Sequence, residues 1–281
     1  MDRILITGTA GFLGSNITNH LIKNDRNLIF GIDDFSSSDF SNISNLLKNE
    51  RFNFIEKKLD TGLNFSVDYV FHTLGCGDIS KISNLYEYVN SQILNLNLIL
   101  DYSKKCGAKL FLFLKINQNN EILTKLNEIS ELLALEFSKE NNLDCKILKI
   151  NEIIGVNFLK NDLRPIPSSI FACLNNSDIN LANDYYLAPV STLDVSNLID
   201  YLMNNYCEEN VFNLVSKYPI LLSQIIRKII SYTNSKSNLN FDNFEIINIK
   251  NNPQNNTPIE LTEIDNSIQE AIEYAKIKYF I

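Results

Sequence analysis

The stretch ILITGTAGFLGSN (residues 4–16) is an apolar run that breaks into three glycines spaced three apart, Gly8, Gly11 and Gly14, and then resumes as a helical pattern. Each glycine has a distinct use in a phosphate-binding turn. The first makes the tight turn, the second lets the backbone approach a phosphate, and the third lets the helix pack against the strand. The helix N-terminus then offers free N–H groups and a positive dipole end to an anion. About twenty residues on, Asp33 ends the next apolar run, where a carboxylate accepts from a ribose 2′-OH and repels a 2′-phosphate. No Arg or Lys follows Asp33 before Lys48, which favours NAD over NADP. The alternative is a glycine turn kept for packing alone, and the strand, helix and Asp context favours binding.

Outward from this stretch, short apolar runs recur at 3–7, 28–32, 52–56, 68–73, 109–114 and 145–150, with helical patterns at 12–23, 82–105 and 121–139. Strands rich in Ile, Leu and Phe that alternate with helices predict a doubly wound α/β (Rossmann) domain, a parallel sheet covered on both faces. After Ile150 the rhythm breaks, with Pro165, Pro167, Pro189 and Pro219 interleaved with helices near 192–205 and 221–232 and a last amphipathic helix over 264–278. The expected organisation is an NAD-binding domain over 1–155, with 192–215 returning to it, and a smaller C-terminal lobe made of 156–191 and 216–281. The Asn-rich tract 249–256 reads as a surface loop.

The 281 residues, 45% hydrophobic and 21% charged, suffice for a full globular core. With 25 Lys and Arg against 33 Asp and Glu, a net charge of −8, and no basic stripe, no nucleic-acid partner is expected. Five scattered cysteines without a C-x-x-C pair argue against a zinc site or disulfide framework and for a reducing, cytoplasmic setting. No apolar run approaches the roughly 18 residues of a membrane span, and the first strand leaves no room for a signal peptide. Neither a metal nor a membrane partner is expected.

TGTAGFLGS (7–15), GIDDFSSS (31–38), KKLDTG (57–62), VDYVFHTLG (67–75) and the Asn of EYVNSQILNLNLIL (87–100) resemble the NAD-dependent nucleotide-sugar epimerase/dehydratase family, the extended short-chain dehydrogenases. The likeness continues more loosely through IPSSI (166–170), VSTLDVSNLIDYL (190–202), VFNLVS (211–216) and TPIELTEIDNSIQEAIEYAK (257–276). It implies that Gly8, Gly11, Phe12, Leu13 and Gly14 hold the pyrophosphate, Asp33 the adenosine ribose and Asp60 the adenine side. Leu74, Gly75 and Asn90 would line the rest of the cofactor, and His72 would sit beside it as a packed neutral imidazole.

The family's chemistry uses a Ser or Thr at the end of the fifth strand and a Tyr and Lys spaced Y-x-x-x-K on the next helix. The Tyr moves the proton as hydride moves, and the Lys lowers the pKa of the Tyr. Glu131 matches the Glu one turn past that Lys, which places Leu123 at the Tyr position and Asn127 at the Lys position. Lys115 and Ile116 end the strand, and the connection to the helix is short. A register shift that aligned Glu121 and Lys125 instead would turn the helix by about 200° and rotate its apolar face out of the core. Substitute acid–base groups would be Lys115, Glu121, or Tyr185 or Tyr186 from the lobe. Lys149 stands where relatives carry an Arg, and Arg164 is a possible phosphate ligand. His20 signals nothing, and the pairs Tyr232/Lys236 and Tyr274/Lys278 are chance matches to Y-x-x-x-K.

Three readings stand. The first is an NAD-binding protein of nucleotide-sugar metabolism, such as polysaccharide biosynthesis, with degenerate catalysis. The second is an active nucleotide-sugar enzyme with a non-standard acid or base, and the third a module whose pocket serves only folding. Surplus apolar residues on 82–105 and 121–139, helices that relatives pair between subunits, predict a homodimer.

Overall fold

The computed structural model describes residues 1–75, 84–116, 121–243, 246–247 and 253–280. Cys76, the first two residues of the predicted 82–105 helix, the 117–120 turn and residues 249–252 of the Asn-rich tract lie outside the described residues.

Seven strands form the main sheet: β1 (Asp2–Thr7), β2 (Asn27–Asp33), β3 (Phe52–Glu56), β4 (Tyr69–His72), β5 (Lys109–Lys115), β6 (Cys145–Ile150) and β11 (Val211–Leu214). Their order is β11-β6-β5-β4-β1-β2-β3, and β1 pairs in parallel with both β2 and β4. The order reverses between β1 and β4, and ligands of doubly wound sheets bind at such a reversal, beyond the carboxyl ends of the strands. Those ends carry Gly8 and Thr73.

Three helices cover this sheet: α1 (Phe12–Leu21), α2 (Leu85–Cys106) and α3 (Glu121–Asn141). The α2 N-terminus is capped by Asn84, whose side chain accepts from Glu87 N–H. At the other end Gly107 takes φ 65, and Ala108 N–H closes back on Ser103 O. A residue with a side chain would resist that left-handed C-cap. On one face Leu5, Val70, Ile99, Leu110, Ala134 and Ile147 form a continuous buried cluster. Phe71 and Phe111 stack at 4.6 Å within the same sheet.

The chain divides into two compact units, Met1–Lys149 with Tyr206–Phe212, and Ile150–Asn205 with Asn213–Ile281. The segment returning to the first unit is therefore shorter than the expected 192–215. It is tied there by Lys146, whose Nζ donates to Cys207 O at 2.8 Å and Glu209 O at 3.0 Å. Helix α5 (Thr192–Asn204) groups with the second unit instead. Ser191 and Asp194 form a capping box at its start, and Asp194 Oδ1 also accepts from Thr262 N–H at 2.8 Å.

The second unit holds more regular structure than its prolines suggest. Helix α4 (Pro165–Leu174) begins on a proline, which suits a position whose N–H has no helical partner. Short strands β7 (Glu152–Ile154), β8 (Ile179–Leu181), β9 (Asp184–Leu187), β10 (Pro189–Ser191), β12 (Ile220–Leu221), β13 (Leu239–Phe241) and β14 (Ile246–Ile247) make small separate sheets. Helices α6 (Leu222–Thr233) and α7 (Ile264–Tyr279) complete the unit.

A candidate cofactor crevice in the first unit

The loop between β1 and α1 is built from its backbone. Gly8 adopts φ 76 and donates its N–H to Ile32 O at 2.8 Å, and Gly11 N–H donates to Gly8 O at 3.1 Å. A methyl group on Gly14 would run into Gly8 O and come within 2.8 Å of its carbonyl carbon, so only glycine lets α1 approach β1 this closely. Gly11 differs. A methyl there would meet only Gly8 O, at 3.2 Å, and otherwise face open space. No side chain caps α1 and no acidic residue lies in its first turn, so the N-terminus bearing Phe12, Leu13 and Gly14 keeps its positive dipole end toward that space.

Asp33 is buried at the end of β2 and works within the fold already. Its Oδ2 accepts from Ala10 N–H at 2.9 Å, and its Oδ1 accepts from Phe35 N–H at 3.0 Å and Ser38 Oγ at 2.6 Å. A carboxylate offers about four acceptor positions, so one remains for a ribose hydroxyl. Phe35 takes φ 55, and its ring lies 6.0 Å from that of Phe40 and 5.4 Å from that of Phe54. Asp60 is exposed. It pairs with Lys57 at 2.7 Å and accepts from Gly62 N–H, contacts that hold its carboxyl below the usual range.

On the other side of the crevice, Thr73 Oγ1 donates to Thr7 O at 2.8 Å and Thr7 Oγ1 meets His72 Nδ1 at 2.8 Å. Burial pushes His72 down to about 4, so the ring is neutral at physiological pH. Gly75 has φ 88 and lies against the Gln92 side chain, while Tyr88 Oη donates to Gly75 O at 3.2 Å. Asn90 is exposed on α2, and Tyr88 and Gln92 are the residues of that helix that face Gly75. Neither stands out in the sequence, because contact with Gly75 depends on the rotation of α2.

At the end of β5, Leu123 is buried and Asn127 Nδ2 donates to Lys115 O at 2.7 Å. Beside Leu123, Asn127, His72 and Gln92 lies a cavity of about 20 Å³, room for a water-sized group. Glu121 is exposed and Lys125 pairs with Glu128 at 2.7 Å, while the same helix buries Leu123 and Leu126. Glu131 pairs with Lys149 at 2.6 Å.

The remaining candidates lie in the second unit. Burial, with Glu152 and Asp184 adding to it, raises the Tyr185 hydroxyl well above its ordinary value, so it stays protonated. Tyr186, half-buried, follows it on β9. Arg164 is paired with Asp162 at 2.6 Å, both nearly buried. Lys278 Nζ bonds to Tyr274 Oη at 2.7 Å and lies over the Tyr274 and Tyr279 rings, so this pair sits in an aromatic cluster. Among the described residues no group of His, Cys, Asp and Glu would hold a metal, and no helix is long and apolar enough to cross a membrane.

Residues 4–115 match the model of the NAD dependent epimerase/dehydratase family. Over 122 residues the chain is 31% identical to an uncharacterized UDP-glucose epimerase of Bacillus subtilis, a match covering 40% of this chain and 39% of that protein. It is 28% identical over 112 residues to UDP-glucuronic acid decarboxylase 6 of Arabidopsis thaliana, covering 39% and 32%. The matched stretch thus spans well under two thirds of these relatives. Over nearly the whole chain the fold is that of UDP-glucose 4-epimerase from Thermotoga maritima (TM-score 0.81, 16% identity, 98% and 99% covered). It is equally that of UDP-glucuronic acid 4-epimerase from Bacillus cereus, solved with UDP-glucuronic acid and NAD (TM-score 0.82, 18% identity, 99% and 100% covered). The chain is therefore related, through residues 4–115, to the NAD dependent epimerase/dehydratase family, and it carries the fold of solved nucleotide-sugar epimerases.

Proposed function

We propose that this chain binds NAD in the β1–β4 crevice and serves nucleotide-sugar metabolism as a cofactor-dependent binding protein without the family's proton transfer. The residues present fit the cofactor. The Gly11 side of the turn is open, the α1 N-terminus is uncapped, and Asp33 is fixed beside them. When bound, NAD supplies hydride exchange, and a nucleotide-sugar enzyme needs a second group to move the hydroxyl proton. The observation that carries the non-catalytic reading is the pair Leu123 and Asn127. One is a buried hydrocarbon and the other donates to the Lys115 carbonyl, so neither exchanges a proton. General acid–base help worth roughly 10²–10⁴ in rate is absent from that position.

The competing reading keeps activity with Lys115, Glu121 or Tyr186 as acid or base, and the half-buried Lys115 at the strand end is the observation in its favour. Calorimetric titration is expected to show NAD binding more tightly than NADP, because Asp33 repels a 2′-phosphate. The protein with NAD is expected not to turn over UDP-, GDP-, CDP- or dTDP-sugars, although it takes one as a ligand. Turnover that disappears in Lys115→Ala or Glu121→Gln would establish the competing reading.

The reading includes a homodimer. Leu94 on α2 and Ile122, Ile129, Leu132 and Leu133 on α3 are exposed, with Leu132 at 63%. A pair of helices from a second copy would cover this apolar surface.

A further inference from the structure

The dipeptide step at Ala10 is held from both sides, by two side chains that lie outside the glycine motif. Asp33 Oδ2 accepts from Ala10 N–H at 2.9 Å, and Asn42 Nδ2 donates to Ala10 O at 3.0 Å. Asn42 is buried, 32 residues away in sequence, on a short turn with its own local logic. Asp39 caps that turn by accepting from Ser41 N–H at 2.8 Å, Asn42 N–H returns to Asp39 O at 3.1 Å, and the next residue, Ile43, is fully buried as an anchor. The turn 39–42 therefore presents one amide to one carbonyl of the phosphate loop.

The position of that carbonyl matters. Ala10 precedes Gly11, the N-cap of α1, so the orientation of the Ala10 peptide plane sets the Gly11 N–H, which donates to Gly8 O, and through it where the first N–H groups of the helix point. Left alone, a loop of Thr-Ala-Gly has many accessible backbone states, and an anion that bound it would bear the ordering cost at that moment. With both the N–H and the C=O of Ala10 fastened, that cost is met during folding. The charged clamp is also the group that would meet the adenosine ribose, whereas the neutral clamp bonds the loop carbonyl.

We infer that Asn42 is a positioning residue for a pyrophosphate at the α1 N-terminus, fixing the Ala10–Gly11 peptide rather than touching the ligand. The inference rests on the reading of this crevice as a nucleotide site and assigns a role to a residue outside its glycine motif. Asn42 acts on the phosphate half of the site and leaves the adenosine half alone. Its loss must therefore separate ligands that carry a pyrophosphate from those that do not.

The test uses the full chain with Asn42→Leu, which keeps the volume and removes the donor, and Asn42→Asp, which turns an acceptor toward the Ala10 carbonyl. Titration of NAD and ADP is expected to weaken about tenfold in Asn42→Leu and more in Asn42→Asp, in keeping with one net hydrogen bond. Adenosine binding, followed by ligand-observed NMR, is expected to stay within twofold. Without any ligand, amide hydrogen exchange over residues 8–14 is expected to quicken in both variants. Equal weakening of adenosine and ADP, or unchanged ADP affinity with unchanged exchange, overturns the inference. If wild type binds neither NAD nor ADP while the variants still quicken exchange over 8–14, the clamp stands and the nucleotide reading falls. Circular dichroism identifies a variant that has failed to fold, and Asn42→Ser, which keeps a donor at shorter reach, then supplies the same comparison.

Discussion

Replacing Gly14 by alanine probes the closest backbone approach in the first unit. The new methyl would sit in the Gly8 carbonyl oxygen, 2.8 Å from the Gly8 carbonyl carbon and 3.0 Å from Thr73 Oγ1. Comfortable carbon–carbon contact is roughly 3.5–4.0 Å, so α1 or the loop must retreat by about 1 Å. Neither is free to do so. Gly8 N–H is bonded to Ile32 O at 2.8 Å, Gly8 O accepts from Gly11 N–H at 3.1 Å, and Thr73 Oγ1 is committed to Thr7 O at 2.8 Å. Overpacking of about 1–3 kcal/mol, plus one or two loosened hydrogen bonds at ~1 kcal/mol each, outweighs the gain of up to ~1 kcal/mol from alanine's better helix propensity. The net loss is about 2–3 kcal/mol, or roughly 5–10 °C in melting temperature for a chain of this size. Gly11→Ala is the control. Its φ of −71° suits any residue and its methyl meets one atom at 3.2 Å, so stability should change by less than about 1 kcal/mol while NAD binding is lost. Thermal melts by circular dichroism, with and without NAD, decide between these. A Gly14→Ala protein melting within 2 °C of wild type, or a Gly11→Ala protein less stable than Gly14→Ala, would refute the reasoning.

Three further outcomes are expected. Lys146→Met removes an ammonium that holds Cys207 O, Glu209 O and Asn210 Oδ1, so it should cost about 2–4 kcal/mol in urea unfolding and open residues 206–210 to limited proteolysis. Because burial pushes His72 down to about 4, the unfolded chain takes up a proton below its ordinary 6.5 while the native state refuses it. Stability contributed above that pH is therefore lost as pH falls from 6.5 to 4, by up to about 3 kcal/mol, and His72→Gln should show a shallower fall over this window. Leu132→Glu places a charge on the exposed apolar face of α3 and should convert the proposed dimer to a monomer in light scattering, with NAD affinity unchanged.

Much of the first unit was legible because its signals are local. Glycines at intervals of three, short apolar runs and the 3.6-residue periodicity of α1, α2 and α3 are properties of neighbouring residues, and the observed bounds differ from the expected ones by a few residues at the ends. That Leu123 and Asn127 take the tyrosine and lysine positions belongs to the proposed function and is inferred from helix spacing relative to Glu131. In the second unit the helices expected near 192–205, 221–232 and 264–278 correspond to α5, α6 and α7, whereas α4 and the short strands were not legible. Pro165 and Pro167 marked a break in the rhythm, whereas Pro165 opens α4, and the short strands β7 to β10 carry too few residues to show a period of two.

Sequence alone determined the sheet class and the glycine turn, because each depends on residue type and short-range spacing. Tertiary structure decided what those residues do. Asn127 became a clamp on the Lys115 carbonyl, Asn42 a clamp on the Ala10 carbonyl, Gln92 and Tyr88 the neighbours of Gly75, and Lys146 the tie to 206–210. Most of these contacts join residues from 12 to 61 positions apart. A hydrogen bond forms only when donor and acceptor lie within about 3 Å at a suitable angle. That condition is met by the packing of whole helices and strands, and no local pattern in the chain encodes it.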